Sequence, residues 1–349
     1  MNLLLVILLV YALTCLYGLK IRKEFNIKAA LEVDQTTDLR GIMCLLIILH
    51  HLALSVDATG IFGFFKHVGV IAVGVFFFLS GYGIMKQSNR RGKSYLKGFI
   101  PKRVVKLLIP LAIAFTVSFF VFWMLGIREP ITMFESFIKG DPFPYHTWYI
   151  WAVMILYLAF YFAGRFIEKT HLMLISLGVF SLAMMILLIN LGVLNNFASS
   201  VFCFPVGCLI ACCDNRMQVF LSSRRNRLIV ECAVLFVTVI SFFVHVYLSD
   251  VFVYTKFVLR NITDIGICLA IVLFLGHIRI GNKLLHLIGI YSFEIYLWHG
   301  SVYKLLERVD FLTKEPIIFV AVSLIACVLF GLLAGIVQKK VSGFKKIKA

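Results

Sequence analysis

Long hydrophobic segments, separated by short polar ones, follow one another along the whole chain of 349 residues. Each segment comes close to the ~20 apolar residues that a helix needs to cross the hydrocarbon core of a bilayer. The pattern therefore predicts an all-α fold, a polytopic transmembrane helical bundle of about eleven spans that forms a single membrane-embedded domain over 1–349. The expected spans are 2–19, 41–56, 68–85, 108–126, 148–164, 172–194, 197–213, 228–248, 257–276, 284–303 and 316–337.

Composition and charge agree with a membrane protein. Hydrophobic residues make up 61% of the chain and charged residues 15%, more apolar surface than a soluble domain of this length can bury. The net charge of +17 would suggest a nucleic-acid partner in a soluble protein, but basic residues also collect in cytoplasmic loops. With the N-terminus outside and strictly alternating spans, 26 of the 34 Lys and Arg residues fall on the cytoplasmic side. We therefore expect a multi-pass protein of the cell (plasma) membrane, in contact with membrane lipids, with its C-terminus in the cytoplasm and without a nucleic-acid partner.

The first predicted span is expected to be a retained anchor, which with its loop forms an extra N-terminal segment, 1–30. No positively charged region precedes it and no small-residue cleavage site follows it, whereas Lys20, Arg22 and Lys23 come directly after it. The nine cysteines lie within or at the edge of apolar segments, where Cys packs as a small hydrophobic residue. Their spacing predicts neither a disulfide framework nor a metal site.

Ionisable residues inside predicted spans are candidates for function, because they are costly to keep in a bilayer. The second span opens with Asp38 and Arg40 and contains the pair His50–His51. His51 lies eleven residues beyond Arg40, or roughly 16 Å along a helix, which puts it near the middle of the membrane. A neutral imidazole suits general base catalysis near neutral pH. The alternative is that both histidines only pack through polar contacts with neighbouring helices.

Two further segments carry candidate residues on the cytoplasmic side of the predicted bundle. Ser80, Gly81 and Tyr82 end the third span, where small residues permit close helix packing or access for a ligand. The basic loop that follows is typical of a positive-inside loop, but Arg103 and Lys106 lie three residues apart at the start of the next helix. They are expected on one helix face, where they can bind the phosphates of a cytosolic ligand.

Polar residues also occur toward the outer half of the predicted bundle. His146 and Trp148 open the fifth span, where aromatic residues ordinarily form an interfacial belt. The tenth span contains Glu294 in its interior and His299 toward the outer face. These residues are expected to lie near the opposite end of the bundle from the basic loop.

The order of these motifs resembles that of the acyltransferase-3 family of membrane-bound carbohydrate O-acyltransferases. The family has an Arg separated from a His by ten residues, a Phe-Phe-x-Leu-Ser-Gly-(Phe/Tyr) stretch, a cytoplasmic Arg-x-x-Arg before a Pro, a His-x-Trp-(Phe/Tyr) motif and a closing Ser-(Tyr/Phe)-x-x-Tyr-Leu-x-His motif. The resemblance covers roughly 34–305. The matching residues are Arg40 and His51; Phe77, Phe78, Ser80, Gly81 and Tyr82; Arg103, Lys106 and Pro110; His146, Trp148, Tyr149 and Tyr157; and Ser292, Phe293, Tyr296, Leu297 and His299.

The resemblance implies transfer of an acyl group, usually acetyl, from cytosolic acyl-CoA to a hydroxyl of an extracytoplasmic glycan or lipid-linked sugar. Acyl-CoA is then a donor substrate and no cofactor is bound permanently. His51 and Arg40 are implied to be catalytic, with His51 as general base or as acyl carrier, and Arg103 and Lys106 are implied to bind the donor. The remaining motif residues are expected at an acceptor site or pocket: Asp38, Ser80, Gly81, Tyr82, His146, Trp148, Glu294 and His299.

The chain departs from the family pattern at three points, and other classes of function remain open. The first span is an addition, Lys106 replaces the second Arg, and His50 stands beside His51. A secondary transporter or a lipid or glycan flippase would also have many spans with buried ionisable residues. A glycan-assembly scaffold without activity of its own is a third possibility.

Overall fold

The computed structural model describes residues 3–138, 143–191, 198–248 and 253–347, and within these ranges the chain is almost entirely helical. The helices are α1 (Leu3–Leu16), α2 (Ile27–Ala30), α3 (Val33–Ser55), α4 (Gly60–Gly63), α5 (Val68–Arg91), α6 (Lys106–Met124), α7 (Pro130–Ile138), α8 (Trp148–Phe166), α9 (Thr170–Asn190), α10 (Cys203–Ser222), α11 (Arg224–Leu248), α12 (Val253–His277), α13 (Lys283–Ile290), α14 (Ser292–Leu306), α15 (Asp310–Thr313) and α16 (Pro316–Ile347). The 3₁₀ turns Phe64–His67 and Gly92–Leu96 flank α5, and the π-helical turn Pro101–Val105 leads into α6.

Eight helical segments of the described ranges are long and apolar enough to cross a membrane. Each corresponds to one of the predicted spans, which confirms an all-α polytopic bundle. The other three predicted spans correspond to α1, to α10 and to the pair α13–α14, so the count of eleven stays a prediction. The eight segments are Val33–Ser55, Phe64–Leu96, Pro101–Met124, Trp148–Phe166, Thr170–Asn190, Arg224–Tyr247, Tyr254–His277 and Pro316–Lys340.

The prediction of one continuous helix over 284–303 is wrong, because the chain forms α13 and α14 with Tyr291 between them. The hydroxyl of Ser292 donates to the backbone carbonyl of Gly289 at 3.0 Å. A serine that bonds back to a carbonyl of the preceding turn competes with the helical ladder and favours a bend. The break lets α13 follow α3 while α14 packs against α16.

Two pairs of helices approach each other through glycines at their contacts. A Cβ atom on Gly41 of α3 would lie 2.2 Å from the Leu285 carbonyl oxygen of α13, and one on Gly289 would lie 1.9 Å from the Thr37 carbonyl oxygen. Glycines permit this approach because they present no side chain at the contact. The crossing of α5 and α10 is built in the same way, and together these pairs hold α3 and α5, which carry the predicted site residues.

A short antiparallel ladder joins the segment after α1 to the segment after α12. Lys20 pairs with Arg279 and Ile21 pairs with Ile278. The side chain of Asn282 donates to the carbonyls of Thr14 and Tyr17, at 2.8 and 3.0 Å, which fixes the end of α1 beside the start of α13. The N-terminal segment is thus packed against the start of α13, beside the basic residues Lys20 and Arg279.

Candidate active site

A cavity of about 1050 Å³ opens on the side of the bundle that carries the basic 86–106 loop. Its walls come from α3, α5, α8, α10 and α14, together with the π-helical turn before α6. Basic side chains are prominent around it, and tyrosines line its inner part. Its basic residues are Lys28, Arg40, Lys86, Arg90 and Arg103, and its tyrosines are Tyr82, Tyr149, Tyr157 and Tyr296.

Arg40 and Arg103, which are far apart in sequence, line this one cavity. The Arg40 guanidinium donates to the Thr36 carbonyl at 3.3 Å and to the Thr37 hydroxyl at 2.9 Å. Arg103 Nε donates to the hydroxyl of Tyr95 at 3.2 Å. Neither guanidinium forms an ion pair with a carboxylate within the described ranges. Both therefore keep donors and positive charge for an anionic ligand.

Lys106 does not share the position of Arg103, so the expectation of one common face is wrong. Lys106 is exposed and absent from the cavity lining, whereas Arg103 is half-buried and lines it. The reason is the π-helical turn Pro101–Val105, in which hydrogen bonds span five residues instead of four. The wider turn changes the rotation per residue, so a spacing of three no longer aligns two side chains.

An acidic residue that the sequence analysis did not consider, Asp214 of α10, lies in the cavity wall. It is almost fully buried, forms an ion pair with Lys86 and accepts a hydrogen bond from the Tyr82 hydroxyl at 3.1 Å. Truncating one partner of such a pair leaves a buried charge without compensation. Asp214 therefore anchors two side chains of α5 at the cavity. Its only sequence signal was its place at the end of an otherwise apolar segment.

Three histidines from three separate segments meet beyond the inner, tyrosine-lined end of this cavity. The rings of His51 and His146 stack with centroids 3.6 Å apart and planes 18° from parallel. His299 lies 5.2 Å from His51 and 5.7 Å from His146, centroid to centroid. Within the described residues, no group of three or more His, Cys, Asp or Glu side chains is arranged to hold a metal ion. The arrangement suits proton transfer or nucleophilic attack, which imidazoles perform without a metal.

The backbone partners of two neighbouring rings establish which nitrogen carries hydrogen. His299 Nδ1 lies 2.5 Å from the Tyr296 carbonyl oxygen, and a carbonyl can only accept, so Nδ1 carries the proton. Its Nε2 is then an acceptor, buried and without a hydrogen-bond partner in the structure. His50 Nδ1 likewise donates to the Phe65 carbonyl at 3.0 Å, and its ring fills the space beside Gly69. His50 is thus held by packing, which favours His51 as the chemically active member of the pair.

Tyr296 separates the cavity from the histidines. Its side chain lines the cavity, and its hydroxyl donates to the backbone carbonyl of His146. Its ring centroid lies 5.6 Å from that of Tyr149 and 5.4 Å from that of His299. The cavity lining includes none of the three histidines, so the inner wall formed by Tyr149 and Tyr296 stands between them and the basic entrance.

His146 has a backbone φ of +66°, a left-handed conformation that is uncommon for a residue with a side chain. Such a conformation costs on the order of 1–3 kcal/mol and persists where surrounding contacts hold it. Here the hydrogen bond from Tyr296 holds the carbonyl, while the stack on His51 and a 2.6 Å contact between Nε2 and the Tyr303 hydroxyl hold the ring. This backbone conformation orients the His146 imidazole so that it stacks on His51.

A group of polar residues lies on the other side of the histidines from the cavity. Ser55, one turn of α3 beyond His51, donates to Glu307, and Lys304 contacts the same carboxylate at 2.8 Å. These three side chains are partly exposed. Lys304 also lies over the ring of Tyr303, whose hydroxyl contacts His146. Tyr303 was not among the predicted site residues, although its spacing of four from His299 places both on one helix face.

The remaining predicted residues divide between the cavity wall and packing positions. Ser80 lines the cavity, with its hydroxyl 3.4 Å from that of Tyr149. Gly81 instead faces α10, where a Cβ atom would lie 2.0 Å from the Phe204 carbonyl oxygen. Asp38 accepts a hydrogen bond from His286 Nδ1 at 2.9 Å and lies outside the cavity lining.

Trp148 and Glu294 also lie outside the cavity lining. Trp148 is buried in the hydrophobic core near the start of α8. Glu294 is partly buried, with its side chain beside Gly335 of α16.

Comparison with known families accounts for this arrangement of motifs. The model of the acyltransferase-3 family, described as an acyltransferase domain, matches residues 38–336. The matched range contains Arg40, Arg103 and the three stacked histidines. No curated protein and no solved structure matches the chain. Because the family match covers most of the chain and the family carries out acyl transfer, the protein is an acyltransferase in the general sense, and the chain belongs to the acyltransferase-3 family.

Proposed function

We propose that the protein transfers an acyl group, in the simplest case acetyl, from cytosolic acyl-CoA through the bundle to a hydroxyl of an extracytoplasmic glycan or lipid-linked sugar. The proposal includes a plasma-membrane location with the basic loops in the cytoplasm and the N-terminus outside. The observation that carries it is the position of Tyr296. This one residue lines the basic cavity and holds His146, whose ring stacks on His51.

The cavity supports acyl-CoA as the donor because its basic residues match the phosphates of CoA. Arg40 and Arg103 lack carboxylate partners among the described residues, and Lys86 and Arg90 lie in the same lining. Guanidinium groups bind phosphate through paired hydrogen bonds. The slim pantetheine arm can extend toward the tyrosine wall, while the phosphates stay at the basic entrance.

His51 can act as a general base. Its imidazole takes the proton from the acceptor hydroxyl, the hydroxyl oxygen attacks the thioester carbonyl, and the carbon–sulfur bond breaks. The departing thiolate then takes that proton from the His51 imidazolium and leaves as the CoA thiol, which restores neutral His51. His299 offers an unpartnered Nε2 close to His51 and can share the proton during these steps.

His51 can instead act as an acyl carrier. Its ring nitrogen attacks the thioester, CoA leaves as the thiol, and an acyl-imidazole remains until the acceptor hydroxyl attacks it and releases His51. In either mechanism the acceptor approaches from the side of Ser55, Lys304 and Glu307. These partly exposed groups offer the donors and acceptors that sugar hydroxyls bind.

The test is release of CoA by the purified protein in vesicles of known orientation. Acyl-CoA supplied on the side of the 86–106 loop should release CoA, and an acceptor panel of mono- and oligosaccharides should increase the rate. Acyl-CoA supplied only on the opposite side should release none. Movement of a sugar or lipid across the membrane, without CoA release from donors of any chain length, would favour a transporter or flippase and contradict the proposal.

A further inference from the structure

A second crevice, of about 1190 Å³, lies between α1 and α13, away from the candidate active site. One part of its lining is apolar, with the exposed side chains of Val10, Leu13 and Leu16. Another part is basic and contains residues from the two-strand ladder and the first residue of α13. These basic residues are Lys20, Arg279 and Lys283. We propose that this crevice binds an anionic glycerophospholipid of the cytoplasmic leaflet.

The walls of the crevice are fixed by specific contacts. Asn282 donates to the carbonyls of Thr14 and Tyr17, so the end of α1 and the start of α13 share one set of hydrogen bonds. Gly18 has a φ of +87°, and a Cβ atom there would lie 2.4 Å from the Gly281 carbonyl oxygen. This close approach requires glycine. The basic and apolar parts of the lining are therefore held together in one site.

The basic part of the crevice carries more positive charge than its lining offsets, because three cations accompany one carboxylate. Lys20 and Arg279 are direct partners in the antiparallel ladder, where like charges opposite each other are destabilising. No ion pair joins either of them, or Lys283, to an acid in the part of the chain that the structure describes. The crevice does contain the carboxylate of Asp38, but this group is bonded to His286. A bound phosphate would relieve the repulsion between Lys20 and Arg279.

The apolar part selects a lipid over a free anion. Inorganic phosphate could use the three cations but would leave Val10, Leu13 and Leu16 uncovered, whereas a lipid covers them with an acyl chain. The cytoplasmic leaflet supplies anionic lipids. The positive-inside distribution predicts that the end of the bundle with the crevice faces the cytoplasm. The α1 residues and Lys20 precede the family-matched range 38–336, so this site depends on the N-terminal addition.

The test uses the full-length protein in a neutral detergent, with lipid binding followed by native mass spectrometry. Phosphatidylglycerol should bind at least about tenfold more tightly than phosphatidylcholine of the same chains. The combined change Lys20→Gln, Arg279→Gln and Lys283→Gln should remove most of that preference, since each cation near an anionic headgroup contributes roughly fivefold. Leu13→Gln should weaken the binding of both lipids, and millimolar inorganic phosphate should not displace phosphatidylglycerol.

A matched variant controls for general charge. Lys169→Gln, Arg224→Gln and Arg225→Gln remove three exposed cations from the same side but outside the crevice, and should leave the preference unchanged. Circular dichroism checks that each variant is folded. Equal binding of the two lipids to the unmodified protein would overturn the proposal even if the triple variant did not fold. Equal loss in the two triple variants, or displacement by phosphate, would also overturn it.

Discussion

The imidazole rings of His51 and His146 stack with their centroids 3.6 Å apart, although 95 positions separate the two residues in sequence. One ring comes from near the C-terminal end of α3 and the other from the segment that leads into α8. The stack brings a second imidazole into direct contact with the candidate catalytic ring and fixes the orientation of that ring.

We predict that His51→Ala lowers turnover by ~100-fold or more, the usual size of a positioned acid–base contribution. His50→Ala should cost far less activity, because the His50 ring is bonded to the Phe65 carbonyl and packed on Gly69. The measurement is the rate of CoA release by the two purified variants. Their expression and helical content are compared as a control for folding. If His50→Ala abolished activity while His51→Ala kept it, the assignment would be wrong.

Arg40→Ala should also lower turnover severely in the same assay. Eleven residues at 3.6 per turn return nearly to one face of α3, so Arg40 and His51 lie along the same side of that helix. The Arg40 guanidinium lines the donor cavity and bonds only to Thr36 and Thr37 within the described part of the chain. A Thr37→Val variant, which removes one of these bonds but keeps the charge, serves as the control and should retain most activity.

Arg103→Ala should weaken binding of acyl-CoA by about 1–3 kcal/mol, the cost of losing a charge-assisted contact. Lys106→Ala is the matched comparison, because it removes the same charge from an exposed position outside the cavity lining. Donor affinity measured by calorimetry should therefore change little in the Lys106 variant. Equal effects in both variants would indicate that only the general charge of this region matters.

Tyr303→Phe should lower turnover roughly tenfold, less than the ~100-fold or more of a direct acid–base group. Tyr303 acts only through His146, so donor affinity should stay unchanged. The change removes the hydroxyl that lies 2.6 Å from His146 Nε2 and keeps the ring that stacks on His146 at 6.0 Å. If the Tyr303→Phe variant lost donor binding as strongly as turnover, the role of Tyr303 would be structural instead. Calorimetry with acyl-CoA and CoA release on the same preparation separate the two outcomes.

Gly207→Ala should destabilise the folded protein by an amount typical of overpacking, about 1–3 kcal/mol or more. A Cβ atom on Gly207 would lie 2.1 Å from the Phe78 carbonyl oxygen, so α5 and α10 must move apart. Gly83→Ala is the control, since a Cβ atom there meets no atom within 4 Å. Thermal unfolding in detergent compares the two, and equal midpoints would contradict the close packing of these helices.

The membrane spans and the candidate motifs followed from local sequence, because apolar segments of about twenty residues have few alternatives to a helix in a bilayer. Ionisable residues within or at the ends of apolar segments stand out, which identified Arg40 and the three histidines, whereas Arg103 followed from its place at the start of the next helix. It failed where local geometry departs from a regular helix. The π-helical turn before α6 separates Arg103 from Lys106, and the break at Tyr291 divides the tenth predicted span.

Hydropathy, charge and motif order along the chain were enough to predict the helical class, a basic side of the bundle and the residue types available for acyl transfer. Tertiary structure decided which of these residues meet. Asp38 and Gly81 belong to helix contacts, while Asp214, Tyr296 and Tyr303 join the site through contacts with residues distant in the chain. Such contacts depend on how close two helices approach and how each is rotated about its axis. The glycine crossings of α3 with α13 and of α5 with α10 fix both the distance and the rotation of these helices. The hydropathy of one segment does not reveal which other helix it will pack against.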